Sequence, residues 1–214
     1  MSSNDRKAER QRAILEAAIR AFSRQGYHGC TVAQVAREAG MADGTLYLYF
    51  RGKEDLLISA FRFVLEDLLE RLDRELAQVS DPIAKLRMLV ELHLGMMEKD
   101  RDLASFLQFQ LRQPDEAIRR SIAEPLTGYA RRIESILDQG KASGHIRDDL
   151  STRVMRRVIF GAVDETVSAW VLRPEPDSLS ARAAPLLDVL LHGVTVSSRV
   201  QPASSQSVQL HKEE

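Results

Sequence analysis

The sequence predicts an all-α protein in which a small helix-turn-helix region precedes a larger helical bundle. Apolar residues recur every three or four positions along most of the 214 residues, which is the spacing of amphipathic helices. Proline follows polar residues at 80–82 and at 113–115, where one helix is expected to stop and the next to start. Two short helical patterns also flank a glycine-containing turn at 39–42. These three observations together predict the fold class.

The first helix is predicted over residues 6–24, with residues 1–5 as a loose arm. Basic residues such as Arg6 and Arg10 crowd its first turns, although a cation there opposes the helix dipole. That placement suggests contact with a phosphate, and a simply solvated basic end is the alternative. The glycine-containing run at 25–29 is expected to end this helix.

The two short patterns that follow have the features of a helix-turn-helix unit. Thr31 is placed to cap the first helix, and Gly40 follows its last apolar residue, where a left-handed backbone costs glycine least. Asp43 is a good cap for the second helix, and Leu46 and Phe50 share its inner face. A second helix of about two turns is too short to be stable alone, so its neighbours must hold it.

The outer face of this second helix suits the major groove of duplex DNA. Small residues at its start let the helix end approach a groove closely, and backbone amides there favour a phosphate. Tyrosines and a lysine supply further phosphate donors. A plain helical corner is the alternative, because a bare helix-turn-helix pattern is weakly specific. The predicted DNA-binding residues are Thr31, Gln34, Ala42, Asp43, Gly44, Thr45, Tyr47, Leu48, Tyr49 and Lys53.

Six longer helices are predicted behind this region. Their ranges are 53–79, 82–99, 101–112, 116–143, 151–172 and 179–197. The first begins just after the second short helix, so it is positioned to carry a displacement from the bundle to the DNA-binding residues. We therefore predict a DNA-binding domain at 6–52, a ligand-binding and dimerisation domain at 53–198, and a disordered, Ser- and Gln-rich tail at 199–214.

The last two helices are more apolar than the surface of a monomer normally is. Adjacent apolar columns run along 151–172, one through Val158 and Ala162 and the other through Ile159 and Val163. So wide an arc indicates burial against both the core and a second copy, as in a four-helix interface of a symmetric homodimer. One large monomeric core is the alternative. The predicted interface residues are Val158, Ala162, Leu187, Leu190, Leu191 and Val194.

Charge is distributed unevenly along the chain. The formal net charge is -1, but residues 1–53 contain nine Lys or Arg and five Asp or Glu, which gives +4 and leaves -5 for the rest. A basic end confines the field that attracts DNA to that end. Cys30 is the only cysteine, which excludes an intramolecular disulfide and a cysteine-based metal site. No apolar run approaches the ~18 residues of a membrane span and no signal-peptide core is visible, so a cytoplasmic protein without membrane partners is expected.

The run GTLYLYFRGKEDLL, which follows TVAQVAREAGMADG, resembles the signature of the TetR family of bacterial repressors. The segments ADGTLYLYFRGKEDLLISAF, FQLRQPDEAIRRSI and IFGAVDETVSAWVL together resemble the acyl-CoA-responsive repressors of fatty-acid degradation within that family. The resemblance implies a TetR-like fold and a homodimer formed by the two C-terminal helices. It also implies that long-chain acyl-CoA releases the dimer from a palindromic operator in double-stranded DNA.

A long-chain acyl-CoA requires an apolar tunnel for its chain and cationic groups for its phosphates. Methionine and phenylalanine fill irregular apolar space, and arginine binds phosphate through paired hydrogen bonds. Methionine and phenylalanine are also typical of plain core, and arginine is also typical of solvated surface. These alternatives stay open for each residue. The predicted ligand-binding residues are Met97, Phe106, Phe109, Gln110, Arg112, Arg119, Tyr129, Arg132, Phe160, Asp164 and Trp170.

Two other protein classes remain open from the residues alone. One is a TetR-type regulator of an efflux or detoxification gene that answers to a hydrophobic drug-like or aromatic molecule, whose pocket would lack a cationic mouth. The other is an enzyme or scaffold built on a helical bundle. The sequence shows no catalytic triad or phosphate loop, and His93, His145 and His192 lack metal-ligand spacing. We therefore expect no catalytic residues, no metal site and no cofactor.

Overall fold

The computed structural model describes residues 3–112 and 115–193, and every regular element within these ranges is a helix. The α-helices are α1 Ser3–Gly29, α2 Val32–Glu38, α3 Lys53–Leu76, α4 Pro82–Lys99, α5 Arg101–Gln110, α6 Glu116–Ala142, α7 Thr152–Val171 and α8 Ala183–His192. A 3-10 helix, Asp43–Leu48, follows α2, and we call it the reader helix. The all-α prediction is confirmed.

The first helix is longer than predicted at both ends. α1 begins at Ser3, so the expected loose arm at 1–5 is wrong for its described residues. The predicted stop at 25–29 is a kink rather than an end. Gly26 has φ 71° and ψ 163°, outside the helical region, and the helix resumes as far as Gly29. Glycine adopts this positive φ without the steric cost of a side chain.

α2 begins at a capping box. The N–H of Gln34 donates to Thr31 Oγ1 at 3.2 Å, and the N–H of Thr31 donates to Gln34 Oε1 at 2.7 Å. The reader helix has no comparable cap, because Ala42 precedes it and provides no side-chain hydrogen bond. The predicted cap at Asp43 and the predicted α-helical geometry are both wrong. Asp43 is the first residue of a 3-10 helix, a geometry common in short helical pieces.

α3 joins the N-terminal helices to the bundle. It packs against α1 on one side and against α4 and α6 on the other. Its buried residues recur at helical spacing from Leu56 to Leu72, as the sequence pattern predicts. The helix ends at Leu76, slightly before the predicted end at 79. We call α1, α2 and the reader helix the head, and α3 to α8 the body.

The head and the body share one continuous hydrophobic core. The Phe106 ring of α5 lies 6.4 Å from Phe22 of α1 and 6.4 Å from Phe61 of α3, centroid to centroid. Polar contacts reinforce this junction at its surface. Arg24 Nη2 of α1 donates to Asp102 Oδ2 of α5 at 3.0 Å. These contacts join α3 and α5 to α1.

The predicted last helix, 179–197, is divided in the structure. A 3-10 turn, Ser180–Arg182, precedes α8. The carboxylate of Glu98 in α4 accepts hydrogen bonds from the Ser180 hydroxyl and from the N–H of Leu179, the latter at 2.8 Å. The Ser180 bond above all holds the pKa of Glu98 below its usual range. The predicted interface residue Val194 and the predicted tail at 199–214 lie outside the described residues.

Candidate functional site

The reader helix is anchored on one face and bare on the other. Leu46 is fully buried and Phe50 almost fully buried, as their shared spacing predicts. On the opposite face, Tyr47 is 60% exposed and Leu48 is 77% exposed, and Thr45 is partly exposed. A large exposed leucine beside an exposed tyrosine marks a surface that a partner would cover.

The approach to this helix is also unobstructed. Ala42, Asp43 and Gly44 are all exposed at its N-terminal end. None of the three has a side chain longer than aspartate, so the backbone itself forms the surface there. This arrangement lets a groove of a nucleic acid come close to main-chain N–H groups.

Thr31, Gln34 and Tyr49, all predicted to bind DNA, have partners inside the chain. Thr31 and Gln34 hold the capping box, and Gln34 Nε2 also donates to Gln25 Oε1 at 2.8 Å. Tyr49 is only partly exposed and packs against the core. The structure therefore gives these three side chains a role in positioning the reader helix, whatever further contact they make.

Lys53, the predicted phosphate donor at the start of α3, is turned toward the head. Its ammonium lies 4.6 Å from the centroid of the Tyr27 ring, a cation–π contact. It also donates to the carbonyl oxygen of His28 at 3.3 Å. Contact with a phosphate requires this long side chain to adopt a different rotamer.

A second candidate site is an open cleft of about 780 Å³ between α6, α7 and the C-terminal end of α5. Its walls carry five arginines and two acidic residues. These are Arg112, Arg131, Arg153, Arg156, Arg157, Glu134 and Asp164. The three arginines of α7 are at helical spacing i, i+3 and i+4, which places them on one face. The cleft is thus predominantly cationic.

Only part of that charge is neutralised within the cleft. Arg156 Nε lies 2.8 Å from Glu134 Oε1, and Arg112 Nη2 lies 3.0 Å from Asp164 Oδ2. The other three arginines have no carboxylate partner among the residues that the structure describes. The cleft therefore has three positive charges in excess, and guanidinium groups bind phosphate oxygens through charge-assisted hydrogen bonds.

Arg112 spans the floor of the cleft and is tied down at several points. Besides Asp164, it donates to the backbone carbonyl of Gln108 at 3.0 Å, to Gln108 Oε1 at 2.8 Å and to Ser168 Oγ at 3.0 Å. These bonds link the end of α5 to α7. A ligand that draws Arg112 away would release this link.

An inner cavity of about 30 Å³ lies behind the cleft. Leu111, Leu126, Phe160 and Asp164 line both spaces, so these side chains are the partition between them. The other lining residues are Phe61, Leu65, Leu68, His93, Met97, Leu107, Gln108 and Tyr129. Most of the wall is apolar, and α3 forms one side of it. A space of this volume holds about one water molecule.

One polar pair lines the wall of the inner cavity, with Tyr129 buried and His93 partly exposed. His93 Nδ1 and the Tyr129 hydroxyl are 3.0 Å apart, and the rings meet edge to face at 5.4 Å. Burial lowers the pKa of His93 to about 4, against a weaker opposing effect of the Asp164 charge. Burial also raises the pKa of Tyr129. At neutral pH the histidine is uncharged and the tyrosine is protonated.

The structure brings together five of the eleven predicted ligand-binding residues. Met97, Tyr129, Phe160 and Asp164 line the inner cavity, and Arg112, with Phe160 and Asp164, lines the cleft. The other six do not line either space, so their assignment to the ligand stays a prediction. They are Phe106, Phe109, Gln110, Arg119, Arg132 and Trp170.

For four of these six residues, burial or a contact explains why the side chain lies elsewhere. Phe106 is fully buried in the aromatic cluster between head and body, and Phe109 is 48% exposed on the outer face of α5. Arg132 donates to Asp73 of α3 at 2.7 Å. The indole N–H of Trp170 donates to the carbonyl oxygen of Asp177 at 2.7 Å. Periodicity identifies such residues as inward-facing or outward-facing but does not say which neighbour they meet.

The arginines of α7 were missed by sequence reasoning. Arg153, Arg156 and Arg157 follow the polar turn before α7 and precede its apolar stretch. Their signal is a one-sided cluster of cations without acidic residues at i±3 or i±4 on the same helix. Such a cluster is unusual for a merely solvated face, which normally mixes both signs.

The predicted dimer residues have mixed placements. Val158 is 57% exposed, while Ala162, Leu190 and Leu191 are partly exposed. Leu187 is fully buried within the chain, so this residue belongs to the protomer's own core and is corrected. Further large apolar residues are exposed on the same two helices or at their ends. These are Val154, Leu172 and Val189.

Metal-binding clusters and membrane-spanning helices are both absent from the described residues. No group of three or more His, Cys, Asp or Glu side chains there is arranged to hold a metal ion. No helix within the described ranges is long and apolar enough to cross a membrane. Cys30 is buried, and burial raises the pKa of its thiol.

Two known families match consecutive parts of the chain. The family described as "Bacterial regulatory proteins, tetR family" matches residues 14–60. The family described as "YsiA-like protein, C-terminal region" matches residues 61–193. The chain belongs to the TetR family. The reader helix is therefore the second helix of its helix-turn-helix unit, and the cleft lies in the regulatory body of a TetR protein.

Relatives of this TetR protein are regulators rather than enzymes. The fatty acid metabolism regulator protein of Bacillus subtilis is 36% identical over 181 residues, which cover 85% of this chain and 93% of the relative. A crystal structure of FadR from Bacillus subtilis in complex with stearoyl-CoA has a TM-score of 0.83 at 36% identity, covering 86% of this chain and 98% of that one. FadR from Bacillus halodurans has a TM-score of 0.82, also at 36% identity, covering 86% and 98%.

Proposed function

We propose that this TetR protein represses genes of fatty-acid degradation and leaves its operator when it binds a long-chain acyl-CoA. The observation that carries the proposal is the cationic cleft, which is separated from an apolar inner cavity only by three apolar side chains and Asp164. Acyl-CoA has the matching composition, a polyphosphate at one end and an alkyl chain at the other. The Bacillus subtilis relative bound to stearoyl-CoA supports the same assignment.

The cleft discriminates against the rival class of effector. A neutral aromatic or drug-like molecule gains nothing from unpaired guanidinium groups, whereas a phosphate binds each one through charge-assisted hydrogen bonds. Arg153 and Arg157 on α7 and Arg131 on α6 face the same open space. We assign them to the phosphates of CoA, and we assign the partition residues Leu111, Leu126 and Phe160 to the passage of the chain. This assignment replaces Arg119 and Arg132.

Binding must enlarge the body. A cavity of about 30 Å³ accommodates one water molecule and no alkyl chain. A long chain that enters it must push apart its walls, which include Phe61, Leu65 and Leu68 of α3. Because protein interiors are close-packed, such a displacement is passed on rather than absorbed. The inner cavity therefore acts on α3.

Two routes lead from this displacement to the reader helix. Along the first, Phe61 of α3 moves against Phe106, which packs on Phe22 of α1. Along the second, release of Arg112 shifts α5, and Asp102 at the other end of α5 pulls on Arg24 of α1. A coupling of about 1–3 kcal/mol, or roughly 5–150-fold in affinity, suffices for a switch.

We propose that the operator-binding form is a homodimer. The exposed valines of α7 and α8, among them Val154, Val158 and Val189, form an apolar surface suited to a four-helix interface. Two copies place two reader helices in successive major grooves, about 34 Å or somewhat more apart. Val158→Glu is expected to give monomers and a loss of operator binding. Sedimentation velocity and a gel shift measure the two effects.

The assignments at the DNA interface follow the geometry of the head. We propose that Ala42, Asp43, Gly44, Thr45, Tyr47 and Leu48 meet the major groove, and that Thr31, Gln34, Tyr49 and Lys53 hold the reader helix or contact phosphates beside it. The protein acts in the cytoplasm, where its operator lies. It is a binding protein and catalyses no reaction.

The decisive experiment is a gel shift with DNA from upstream of fatty-acid degradation genes, with and without palmitoyl-CoA. Operator affinity is expected to fall 5- to 150-fold when palmitoyl-CoA is added, and operator is expected to weaken palmitoyl-CoA binding by the same factor. Free CoA and palmitate are the controls, since each supplies only one half of the ligand. Equal palmitoyl-CoA affinity with and without operator would overturn the proposal.

A further inference from the structure

The inner cavity contains a hydrogen-bonding pair that its apolar walls do not explain. His93 of α4 and Tyr129 of α6 both line it, beside Phe61, Leu65 and Met97. Tyr129 is only 2% exposed, and its hydroxyl bonds to His93 Nδ1 at 3.0 Å. No other hydrogen bond reaches either side chain from the part of the chain that the structure describes. A tunnel meant solely for an alkyl chain has no use for such a pair.

The pair has one hydrogen-bond donor that is not used between its two side chains. The neutral imidazole carries one N–H and the phenol one O–H, and only one of these two protons lies between Nδ1 and the hydroxyl oxygen. If Tyr129 donates to Nδ1, the Nε2–H of His93 is unused. If Nδ1–H donates to the oxygen, the Tyr129 O–H is unused. Both arrangements leave one proton donor in the cavity wall.

The other polar side chains of the wall, Gln108 and Asp164, already accept hydrogen bonds from Arg112. An unused donor in this largely apolar wall is costly unless a further acceptor satisfies it. The cavity has room for one water molecule in the ligand-free chain. An alkyl chain alone would expel that water and leave the donor without an acceptor. A ligand that brings its own acceptor oxygen avoids this loss, so the pair selects for such an oxygen.

We infer that the His93–Tyr129 pair donates a hydrogen bond to the thioester carbonyl oxygen of the acyl-CoA and so fixes where the chain begins. This inference rests on the function proposed above. Phe160 is part of the partition between cleft and cavity, and its ring meets the Tyr129 ring at 6.1 Å. The pair therefore lies just inside the partition, where the polar part of the ligand ends.

This position sets the direction of the chain. Phe61, Leu65 and Leu68 of α3 line the same cavity and form an apolar part of its wall. With the carbonyl held by His93 or Tyr129, every further methylene of the chain extends toward α3. The hydrogen bond thus fixes the start of the chain. A longer chain then pushes more strongly on α3, the helix that joins body and head.

The test compares two ligands that differ in one oxygen. Palmitoyl-CoA has the thioester carbonyl, and S-hexadecyl-CoA has a methylene in its place. Full-length wild-type protein is expected to bind palmitoyl-CoA roughly 3- to 10-fold more tightly, the range of one net hydrogen bond to a buried donor. Isothermal titration calorimetry measures both constants. Equal affinities in the wild type would overturn the inference and leave acyl-CoA as the effector.

The double variant His93→Leu/Tyr129→Phe removes both donors and keeps the shape of the wall, a replacement that is often nearly neutral for folding. Its ratio of the two affinities is expected to fall to about 1 or below. Met97→Leu is the matched control, because it changes an apolar residue of the same cavity at similar volume and should leave the wild-type ratio unchanged. A double variant that keeps the wild-type ratio would assign the carbonyl to another group.

The two proposals fail differently in these titrations. If neither CoA derivative binds to wild-type protein, the effector assignment and the inference fall together. If both bind and discrimination is absent, only the inference falls. Because the wild-type comparison needs no substitution, a double variant that does not fold still leaves the inference open to refutation.

Discussion

The reader helix and the cleft are built in opposite ways. The reader helix is six consecutive residues, Asp43–Leu48, and the residues flanking it complete its surface. The cleft takes side chains from the end of α5, from α6 and from α7, between Leu111 and Asp164. One site is a feature of local sequence, whereas the other exists only after three helices have packed. Different kinds of substitution are therefore expected to impair the two sites.

Their anchoring differs as well. The reader helix has no side-chain cap and holds its place chiefly through Leu46 and Phe50. The cleft lies between long helices whose cores continue well beyond it, such as α6 from Glu116 to Ala142. A single substitution is therefore expected to displace the reader helix. The cleft is expected to keep its shape and to lose ligand affinity only when its charges are removed.

The largest expected effect comes from removing the anchor. Leu46→Ala leaves a hole beneath the reader helix and is expected to lower the free energy of unfolding by about 2–5 kcal/mol. Operator binding should be lost, because the exposed face is no longer held. Palmitoyl-CoA binding at 10 °C should remain within about twofold in the folded fraction. Urea denaturation, a gel shift and calorimetry measure these three quantities.

Leu48→Ala is the matched control for this prediction. It shortens a neighbouring leucine that is 77% exposed, so the free energy of unfolding should change by less than about 0.5 kcal/mol. Operator affinity should still decrease, since Leu48 belongs to the exposed face. An equal loss of stability in both variants would contradict the division into anchored and bare faces.

Acid is expected to destabilise the body through His93. Its pKa is about 4 in the folded chain and near 6.5 when unfolded, so the unfolded chain binds more protons between these values. The stabilising contribution is complete above about pH 6.5 and is lost as the pH falls toward 4, by about 2–3 kcal/mol. Urea denaturation at pH 7 and pH 4.5 measures the loss, which should be smaller in His93→Leu/Tyr129→Phe. An unchanged loss in that variant would contradict the assignment to His93.

Removing two cleft charges should affect ligand and not operator. Arg153→Gln/Arg157→Gln is expected to weaken palmitoyl-CoA binding about 10-fold and to reduce its dependence on salt. Arg74→Gln/Arg87→Gln removes the same charge from exposed positions outside the cleft and is the control. Ligand-free operator affinity should be alike in both double variants. Equal palmitoyl-CoA affinity in both would place the phosphates elsewhere.

The smallest effect is expected at the start of α2. Thr31→Ala removes the capping box and should lower the free energy of unfolding by about 1 kcal/mol. Thr31→Ser keeps the hydroxyl and should restore most of it. If the operator affinity of Thr31→Ala falls further than the folded fraction explains, Thr31 also contacts a phosphate. Denaturation and gel shifts on the same preparations decide between these roles.

Periodicity and turn chemistry predict the helices of this chain well. The range 82–99 matches α4 because a proline follows a capping aspartate there, and Asp81 does accept from the N–H of Ala84 at 2.7 Å. Within the head, spacing also predicts the burial of Leu46 and Phe50, which the structure confirms. Local rules suffice for such features because capping and amphipathicity involve residues only three or four positions apart.

The sequence by itself determined the all-α class, the helix-turn-helix unit and the exposed face that we propose reads DNA. Only the tertiary structure decided which cations form a site. Arg132 was predicted for the ligand yet pairs with Asp73, whereas Arg153 and Arg157 of α7 face the cleft. It also decided that His93 meets Tyr129, 36 positions further on. The physical reason is that a helix fixes the direction of a side chain from its own sequence, but the neighbour that this side chain meets depends on the packing of another helix.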